Sequence, residues 1–180
     1  MPRLFVAIDL PEPQRELIRS ICDGLPDARW VPAAQIHLTL RFIGEVDGAI
    51  FREIRDTLAG IKGTPFQIRV TGLGHFPPRR EPKVLWLGIS PDEQVRFLRK
   101  RIESSLVRMG LNSEKRKFSP HITIARFKTP PRGLRLADYL ASHSLFETPP
   151  CEINTFHLYS SHLTGKGADH RIESSYPLTL

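Results

Sequence analysis

Two histidines of the chain stand in the same four-residue pattern, which could carry acid–base chemistry. Residues 37–40 (HLTL) and 121–124 (HITI) each place a threonine two positions after the histidine. Side chains alternate along a β-strand, so each histidine shares a strand face with its threonine. Imidazoles titrate near neutral pH, so one can take a proton from water while the other protonates a leaving oxygen. The pattern therefore predicts metal-free opening of a cyclic phosphodiester by His37 and His121, with the Thr39 and Thr123 hydroxyls donating to the phosphate oxygens.

The alternative for either histidine alone is that it is a half-buried strand residue bonded to the backbone. The threonine beside it would then be present only because threonine favours β-strands. Packing gives no reason for the same pattern to occur twice at equivalent places. A third copy, residues 162–164 (HLT), runs directly into residues 165–167 (GKG). We interpret this third copy as a loop outside the site.

Hydrophobic periodicity places the two patterns at equivalent points of a repeated layout. The strand predicted at 3–9 corresponds to the one predicted at 83–89, and His37 corresponds to His121. The chain therefore looks like two copies of a βαβαβ-type unit, at 3–74 and 83–160, within a single domain covering 1–180. The predicted strands are 3–9, 36–43, 65–73, 83–89, 120–127, 150–160 and 169–179, and the predicted helices are 12–24, 48–60, 91–110 and 134–143.

The composition describes a folded, basic domain. Hydrophobic residues make up 40% of the 180, and Lys plus Arg number 26 against 19 Asp plus Glu. The net charge of +7 favours a polyanionic partner such as a nucleic acid. Basic residues are grouped at 79–80, 99–101 and 115–117, and the last group lies just upstream of His121.

The sequence favours a cytoplasmic protein without cofactors. No apolar run approaches the roughly 18 residues that a membrane span needs. The apolar start ends at Asp9 and is typical of a strand rather than a signal peptide. Cys22 and Cys151 have no CxxC or zinc-type spacing, which indicates ordinary thiols in a reducing compartment. No residues have metal-ligand spacing and no GxxxxGK[ST] phosphate loop is present, so neither a metal nor ATP is expected.

The two patterns and their flanks resemble a known family. The segments HLTLRFIGE at 37–45 and SPHITIARF at 119–127 are similar to the two signatures of the RNA 2′,3′-cyclic phosphodiesterases, historically called 2′-5′ RNA ligases. These proteins belong to the two-histidine phosphoesterase superfamily. The opening RLFVAIDLP and the tail SSHLTGKGADHRIESSYPL also match, so the resemblance covers almost the whole chain. It implies an α+β fold of two pseudo-symmetric lobes, each an antiparallel sheet with helices packed outside, and an active cleft between the lobes.

By position, the resemblance also implies roles for individual residues. His37 and His121 match the catalytic pair, and Thr39 and Thr123 match the phosphate contacts. Arg126 matches an arginine that packs on the terminal nucleobase. Strict alternation from His121 would put Arg126 on the opposite strand face, so this role requires a twist or bulge.

Three further residues near the motifs receive weaker interpretations. Phe42 holds the place in the first motif that Arg126 holds in the second, and we interpret it as a core residue. His170 stands where many relatives have tyrosine, which leaves its contact with substrate open. His157 shares a predicted strand face with Thr155 and Tyr159, and the sequence leaves open whether it lines the cleft.

The resemblance implies hydrolysis of RNA 2′,3′-cyclic phosphate ends to 2′-phosphomonoesters, with weak reverse 2′-5′ ligation. It implies that His121 activates water and that His37 protonates the departing 3′ oxygen, although pseudo-symmetry lets the sequence fit either order. The expected partner is an RNA end or a nucleotide, and the expected state is a monomer. Two alternatives remain: a non-catalytic module that binds RNA ends, and a phosphodiesterase for small cyclic nucleotides or 2′-5′ oligonucleotides.

Overall fold

The computed structural model describes residue 1 and residues 3–179, and within them it shows nine β-strands and four α-helices. None of these helices is long and apolar enough to cross a membrane. The strands are β1 (Arg3–Asp9), β2 (Ala28–Trp30), β3 (His37–Glu45), β4 (Phe66–Phe76), β5 (Val84–Ser90), β6 (Ile122–Phe127), β7 (Cys151–Ile153), β8 (Thr155–Thr164) and β9 (Gly167–Pro177). The helices are α1 (Glu12–Arg19), α2 (Gly48–Ala59), α3 (Glu93–Arg108) and α4 (Arg135–Ser142).

The strands form two antiparallel sheets, which confirms the predicted α+β fold. The first sheet has the order β3-β1-β8-β9 and the second has the order β2-β6-β5-β4-β7. The first motif therefore lies on an edge strand of the first sheet, and the second motif lies on β6 beside β5.

The two sheets do not each derive from one sequence repeat. Strand β4, from the first predicted repeat, pairs with β5 in the second sheet, and β8, from the second repeat, pairs with β1 in the first sheet. Each sheet therefore contains strands from both halves of the sequence. One continuous cluster of buried residues joins the two sheets. The predicted sequence duplication stays a prediction, because the sheet that a strand joins does not show whether the two halves of the chain are repeats.

Strand β1 is buried on both faces, as expected of a central strand with a nearly continuous apolar sequence. Leu4, Val6 and Ile8 belong to the main core, under the helices. On the opposite face, Phe5 and Ala7 form a small separate cluster with Tyr159 of β8. That second face of the first sheet is the one on which the first motif presents its histidine.

The third histidine pattern is part of a strand, so its interpretation as a loop was wrong. His162, Leu163 and Thr164 complete β8, and a two-residue turn at 165–166 leads into β9. The Thr164 hydroxyl donates to Gly167 O at 2.7 Å. Gly167 has a φ of 122°, a conformation that glycine adopts readily. Strand β8 therefore ends four residues beyond the predicted strand end at 160, and β9 begins two residues before the predicted start at 169.

A buried ion pair joins the first motif to the chain segment that precedes the second motif. The Arg41 Nε atom lies 2.5 Å from Glu103 Oε2 of α3, and these side chains are 7% and 14% exposed. Arg41 also donates to the carbonyl of Asn112. Glu103 Oε1 accepts from the backbone N–H of Glu114 at 2.8 Å. The pair therefore anchors β3 to α3 and to residues 112–114.

Replacing Arg41 by alanine removes the nearest cation from the largely buried Glu103 carboxylate and leaves it the more distant Arg99, 3.8 Å away. We expect Arg41→Ala to lower the free energy of unfolding by about 3–5 kcal/mol, as measured by urea denaturation. Arg69→Ala is the matched control, because Arg69 pairs with Glu147 through side chains that are 45% and 44% exposed. That control should lose under about 1 kcal/mol. Equal losses in the two variants would show that the Arg41 pair contributes no more than a surface contact.

Candidate active site

The first histidine begins β3 and is oriented by a backbone carbonyl. His37 pairs in register with Asp9 of β1, and Thr39 pairs with Ala7. His37 and Thr39 are half-buried, whereas Leu38 between them is fully buried, as strand alternation requires. The His37 Nδ1 atom lies 2.6 Å from Gln35 O.

The second histidine has the same local arrangement at the entry of β6. His121 directly precedes Ile122, the first residue of this strand, and its Nδ1 atom lies 2.7 Å from Ser119 O. Thr123 pairs with Trp86 of β5 and is half-buried. In both motifs the imidazole therefore bonds to the carbonyl of the residue two positions before it.

This bond determines which ring nitrogen is reactive. A carbonyl oxygen only accepts, so Nδ1 of each ring must carry the hydrogen. The Nε2 atom of a neutral ring is then an acceptor, and in an imidazolium it is a donor. Each histidine can therefore take or give one proton through Nε2 without losing its orientation.

A bulge follows the threonine in both motifs, at equivalent positions. In β3, Thr39 pairs with Ala7 but Arg41 pairs with the adjacent Val6, which leaves Leu40 as the extra residue. In β6 the corresponding extra residue is Ile124. Each bulge makes two consecutive residues face the core, and the residue after them returns to the histidine face.

These bulges decide the positions of Arg126 and Phe42. Arg126 is exposed on the same face as His121 and Thr123, so the bulge that its role requires is present. Phe42 lies at the equivalent position of β3 and is 55% exposed, so its interpretation as a core residue was wrong. The error arose because strict alternation ignores the extra residue Leu40.

Aromatic residues surround both histidines, and sequence reasoning missed them. In the first sheet, the Phe5 ring centroid lies 5.1 Å from both His37 and the parallel ring of Tyr159. In the second sheet, Phe76 meets His121 edge-on at 4.9 Å. The Trp86 ring, 5.4 Å from Phe76, covers Gly74 so closely that a Cβ at that position would collide with it. These aromatic residues could have been identified from their positions on the strands next to the motifs. Those positions can be recognised only when the strand pairing is known.

His170 and His157 both lie on the motif face of the first sheet. The His170 ring is 5.5 Å from His37. His157 Nδ1 lies 2.8 Å from Ser175 Oγ, and its Nε2 atom lies 3.9 Å from Asp9 Oδ2. Asp9 also accepts a hydrogen bond from the Tyr159 hydroxyl. The structure thus places both histidines near the site, where the sequence left their positions open.

The environment of His37 favours its neutral form. Burial lowers the pKa of His37, and the charges of His170 and Arg126 lower it further. The Gln35 carbonyl and the Asp9 carboxylate oppose this shift by favouring the charged ring. Strands β3 and β6, which carry the two motifs, contact each other, and Arg126 of β6 is the residue of the second motif whose charge acts on His37.

Among the described residues, no group of three or more His, Cys, Asp or Glu side chains is arranged to hold a metal ion. What the site presents is two half-buried imidazoles with reactive Nε2 atoms, two threonine hydroxyls and an exposed arginine. This set suits proton transfer at an anionic centre. It is the set of residues that a two-histidine acid–base site requires.

Comparison with known proteins agrees with that class. A family model described as the 2′-5′ RNA ligase superfamily matches residues 5–165. The RNA 2′,3′-cyclic phosphodiesterase of Methanothermobacter thermautotrophicus is 34% identical over 173 residues, covering 92% of each chain. The enzyme of the same name from Aeropyrum pernix is 36% identical over 145 residues, covering 80% of this chain and 82% of its own. The crystal structure of E. coli LigT complexed with 3′-AMP has a TM-score of 0.78 at 28% identity and covers 100% of both chains. The chain therefore belongs to the 2′-5′ RNA ligase superfamily, which confirms the resemblance drawn from its motifs.

The lowered pKa of His37 can be measured directly. In ¹H–¹⁵N NMR spectra, we expect His37 to titrate below the ordinary histidine value of about 6.5, and its neutral form to carry the hydrogen on Nδ1. The folded state then binds fewer protons than the unfolded state. His37 should therefore make the free energy of unfolding fall as the pH decreases from about 6.5 to the folded pKa. Titration above the ordinary value, or a hydrogen on Nε2, would contradict this description of the ring.

Proposed function

We propose that the protein hydrolyses the 2′,3′-cyclic phosphate at the end of RNA to a 2′-phosphomonoester, with His37 and His121 as the acid–base pair. The observation that carries the proposal is the repeated Nδ1–carbonyl bond, which leaves one reactive Nε2 atom in each motif. Membership in a superfamily with relatives named RNA 2′,3′-cyclic phosphodiesterase supports the reaction class.

In the proposed reaction, water attacks phosphorus and the bond from phosphorus to the 3′ oxygen breaks. His121 Nε2 takes a proton from the water as the new P–O bond forms. His37 Nε2 gives a proton to the departing 3′ oxygen. Thr39 and Thr123 donate to the non-bridging oxygens and stabilise the charge that develops there. Run backwards with a ribose 5′-hydroxyl in place of water, the same groups would form a 2′-5′ linkage weakly.

The order of the two roles depends on the charge of the bound phosphate. Burial lowers the pKa of His37, which by itself favours the base role for this residue. A bound phosphate is an opposite charge within a few ångströms, and such a charge favours the imidazolium. Asp9 and the Gln35 carbonyl act in the same direction. We therefore assign the acid role to His37 in the complex, and the reverse order is the alternative.

The charge around the second motif suits an RNA substrate. Lys115, Arg116 and Lys117 are all exposed and lie just before the Ser119 carbonyl that orients His121. Phosphate contacts by such residues supply much of the affinity of proteins for nucleic acids. Arg126 is exposed on the motif face, where its planar guanidinium can pack on the terminal nucleobase.

Removing either imidazole removes one proton-transfer step. We expect His37→Ala and His121→Ala each to lower kcat for RNA 2′,3′-cyclic phosphate by about 10²–10⁴-fold. The double variant should lose less than the product of the two, because residues that act as one unit are not additive. Thr39→Ala and Thr123→Ala should lose less than either histidine variant. Near-normal kcat in a folded single histidine variant would refute the mechanism.

A substrate with a better leaving group than the ribose 3′ oxygen tests the order of roles. It needs little help from an acid, so it should largely restore the rate of His37→Ala and do little for His121→Ala. Single-turnover rates on both substrates provide the comparison. Restoration of His121→Ala instead would reverse the two assignments.

Because both proton transfers have an imidazole donor or acceptor, hydrolysis should continue in excess EDTA. The product, resolved by chromatography against 2′- and 3′-phosphate standards, should be the 2′-phosphomonoester. Activity that disappears in EDTA and returns only with a divalent ion would contradict the two-histidine reaction. Tight binding of the RNA end without turnover would instead support the non-catalytic alternative.

A further inference from the structure

We propose that Arg29, on the edge strand β2 of the second sheet, binds the phosphate that links the terminal nucleotide of the RNA to the nucleotide before it. This inference rests on the proposed function, in which the cyclic phosphate lies at Thr39 and Thr123 and the terminal base packs on Arg126. It assigns the third connection of the terminal nucleotide, through its 5′ oxygen, to a residue outside both motifs. The substrate is then an RNA strand rather than a lone nucleoside 2′,3′-cyclic phosphate.

The face that Arg29 occupies follows from its neighbours on β2. Ala28 and Trp30 pack against the main core, so alternation directs Arg29 to the opposite face of the second sheet. Arg29 pairs in register with Arg126, and residues directly opposite on neighbouring strands share a face. Arg126 is the residue that the β6 bulge returns to the face of His121. Arg29 therefore extends that face by one strand, to the edge of the sheet.

The two arginines of this pair lie directly opposite each other, which is unfavourable without an anion. Opposed side chains on paired strands have Cβ atoms about 4.5–5.5 Å apart, and like charges at that spacing repel. Both residues are exposed, and no ion pair formed within residue 1 and residues 3–179 involves either guanidinium. Asp27, the acidic residue nearest to Arg29 in the sequence, lies 3.9 Å from Arg135 instead. A bound phosphate would compensate both charges.

The distance from the reacting phosphate suits the next phosphate of the chain. Thr123 and Arg126 are separated by two strand positions once the extra residue Ile124 is discounted, which is about 7 Å. Strand β2 lies about 5 Å to the side of β6. Arg29 is therefore about 9 Å from Thr123 along and across the sheet. One nucleotide and an extended arginine side chain together span this distance.

Arginine is well suited to such a contact. Its planar guanidinium donates parallel hydrogen bonds to two phosphate oxygens, and the flat face of the same group can pack on a base. Arg126 can therefore hold the base while Arg29 holds the phosphate. An exposed charge on an edge strand also prevents pairing with other sheets, which is the alternative role for Arg29. Only the phosphate contact makes catalysis depend on what the 5′ oxygen of the substrate carries.

The test compares three substrates in the full chain: adenosine 2′,3′-cyclic phosphate, its 5′-phosphorylated form, and adenylyl-(3′-5′)-adenosine 2′,3′-cyclic phosphate. In the wild type, each of the two substrates with a 5′ phosphate should have a kcat/KM at least about tenfold above the first, since a hydrogen bond between charged groups contributes that much. Arg29→Ala should remove most of this preference, and Arg29→Glu should remove more of it by repelling the phosphate. Arg52→Ala is the matched control, because Arg52 of α2 is also exposed and should keep the preference.

Three outcomes would overturn the contact. The first is a wild-type protein that treats the three substrates alike, or a preference that survives in Arg29→Ala, since Arg29 would then only protect the sheet edge. The second is an equal loss of kcat/KM for all three substrates, since Arg29 would then act on the terminal base or the cyclic phosphate. The third is a loss confined to the 5′-phosphorylated nucleoside, since the phosphate inside an RNA strand would then lie elsewhere.

Binding measurements separate this contact from the proposed hydrolysis, because they need no turnover. By calorimetry, adenosine 2′,5′-bisphosphate should bind the wild type at least about tenfold more tightly than adenosine 2′-phosphate, and Arg29→Ala should abolish the difference. Such a difference would support the contact even if no hydrolysis is observed. Equal Kd values for the two ligands in the wild type would overturn the contact even if hydrolysis is confirmed.

Discussion

The arrangement of the two motifs depends on the buried ion pair between Arg41 and Glu103. Arg41 is the residue that the β3 bulge turns inward, so the bulge and the ion pair support each other. Removing two charges from water is unfavourable unless their partners are well placed. Here the Glu103 carboxylate also accepts from the backbone of Glu114, and Arg41 also bonds Asn112. One interaction therefore connects β3 to the segment that leads toward His121.

One shared core holds together the two sheets that carry the motifs. Because β4 and β8 each pair outside their own repeat, the two sheets share one apolar core. Acid–base catalysis across a phosphate needs both imidazoles within hydrogen-bonding reach of the reacting atoms, and small displacements reduce it strongly. A pair of sheets with a common core holds this geometry better than two lobes connected only by a linker.

The two motifs are equivalent in local geometry, but different residues pack around their histidines. Both imidazoles bond a carbonyl two residues earlier. His37, however, lies among Phe5, His170 and Asp9, and burial lowers its pKa. His121 meets the edge of Phe76 beside the exposed basic residues 115–117. In the proposed reaction, these different surroundings distinguish the acid from the base.

The sequence by itself determined the local features of this protein. Alternation in HLTL and HITI predicted which strand face each histidine occupies, because that depends only on the two-residue period of a strand. The four helices and most of the strands followed from periodicity, although β2 and the division of 150–160 into β7 and β8 did not. The family followed from the motifs with their flanks. The tertiary structure alone decided the features that depend on pairing between distant strands. Periodicity could not show that β4 and β8 change sheets, that the HLT at 162–164 continues a strand, or that bulges carry Phe42 and Arg126 to the histidine face. The physical reason is that register and bulges are set by the partner strand, and these partners are distant in the sequence.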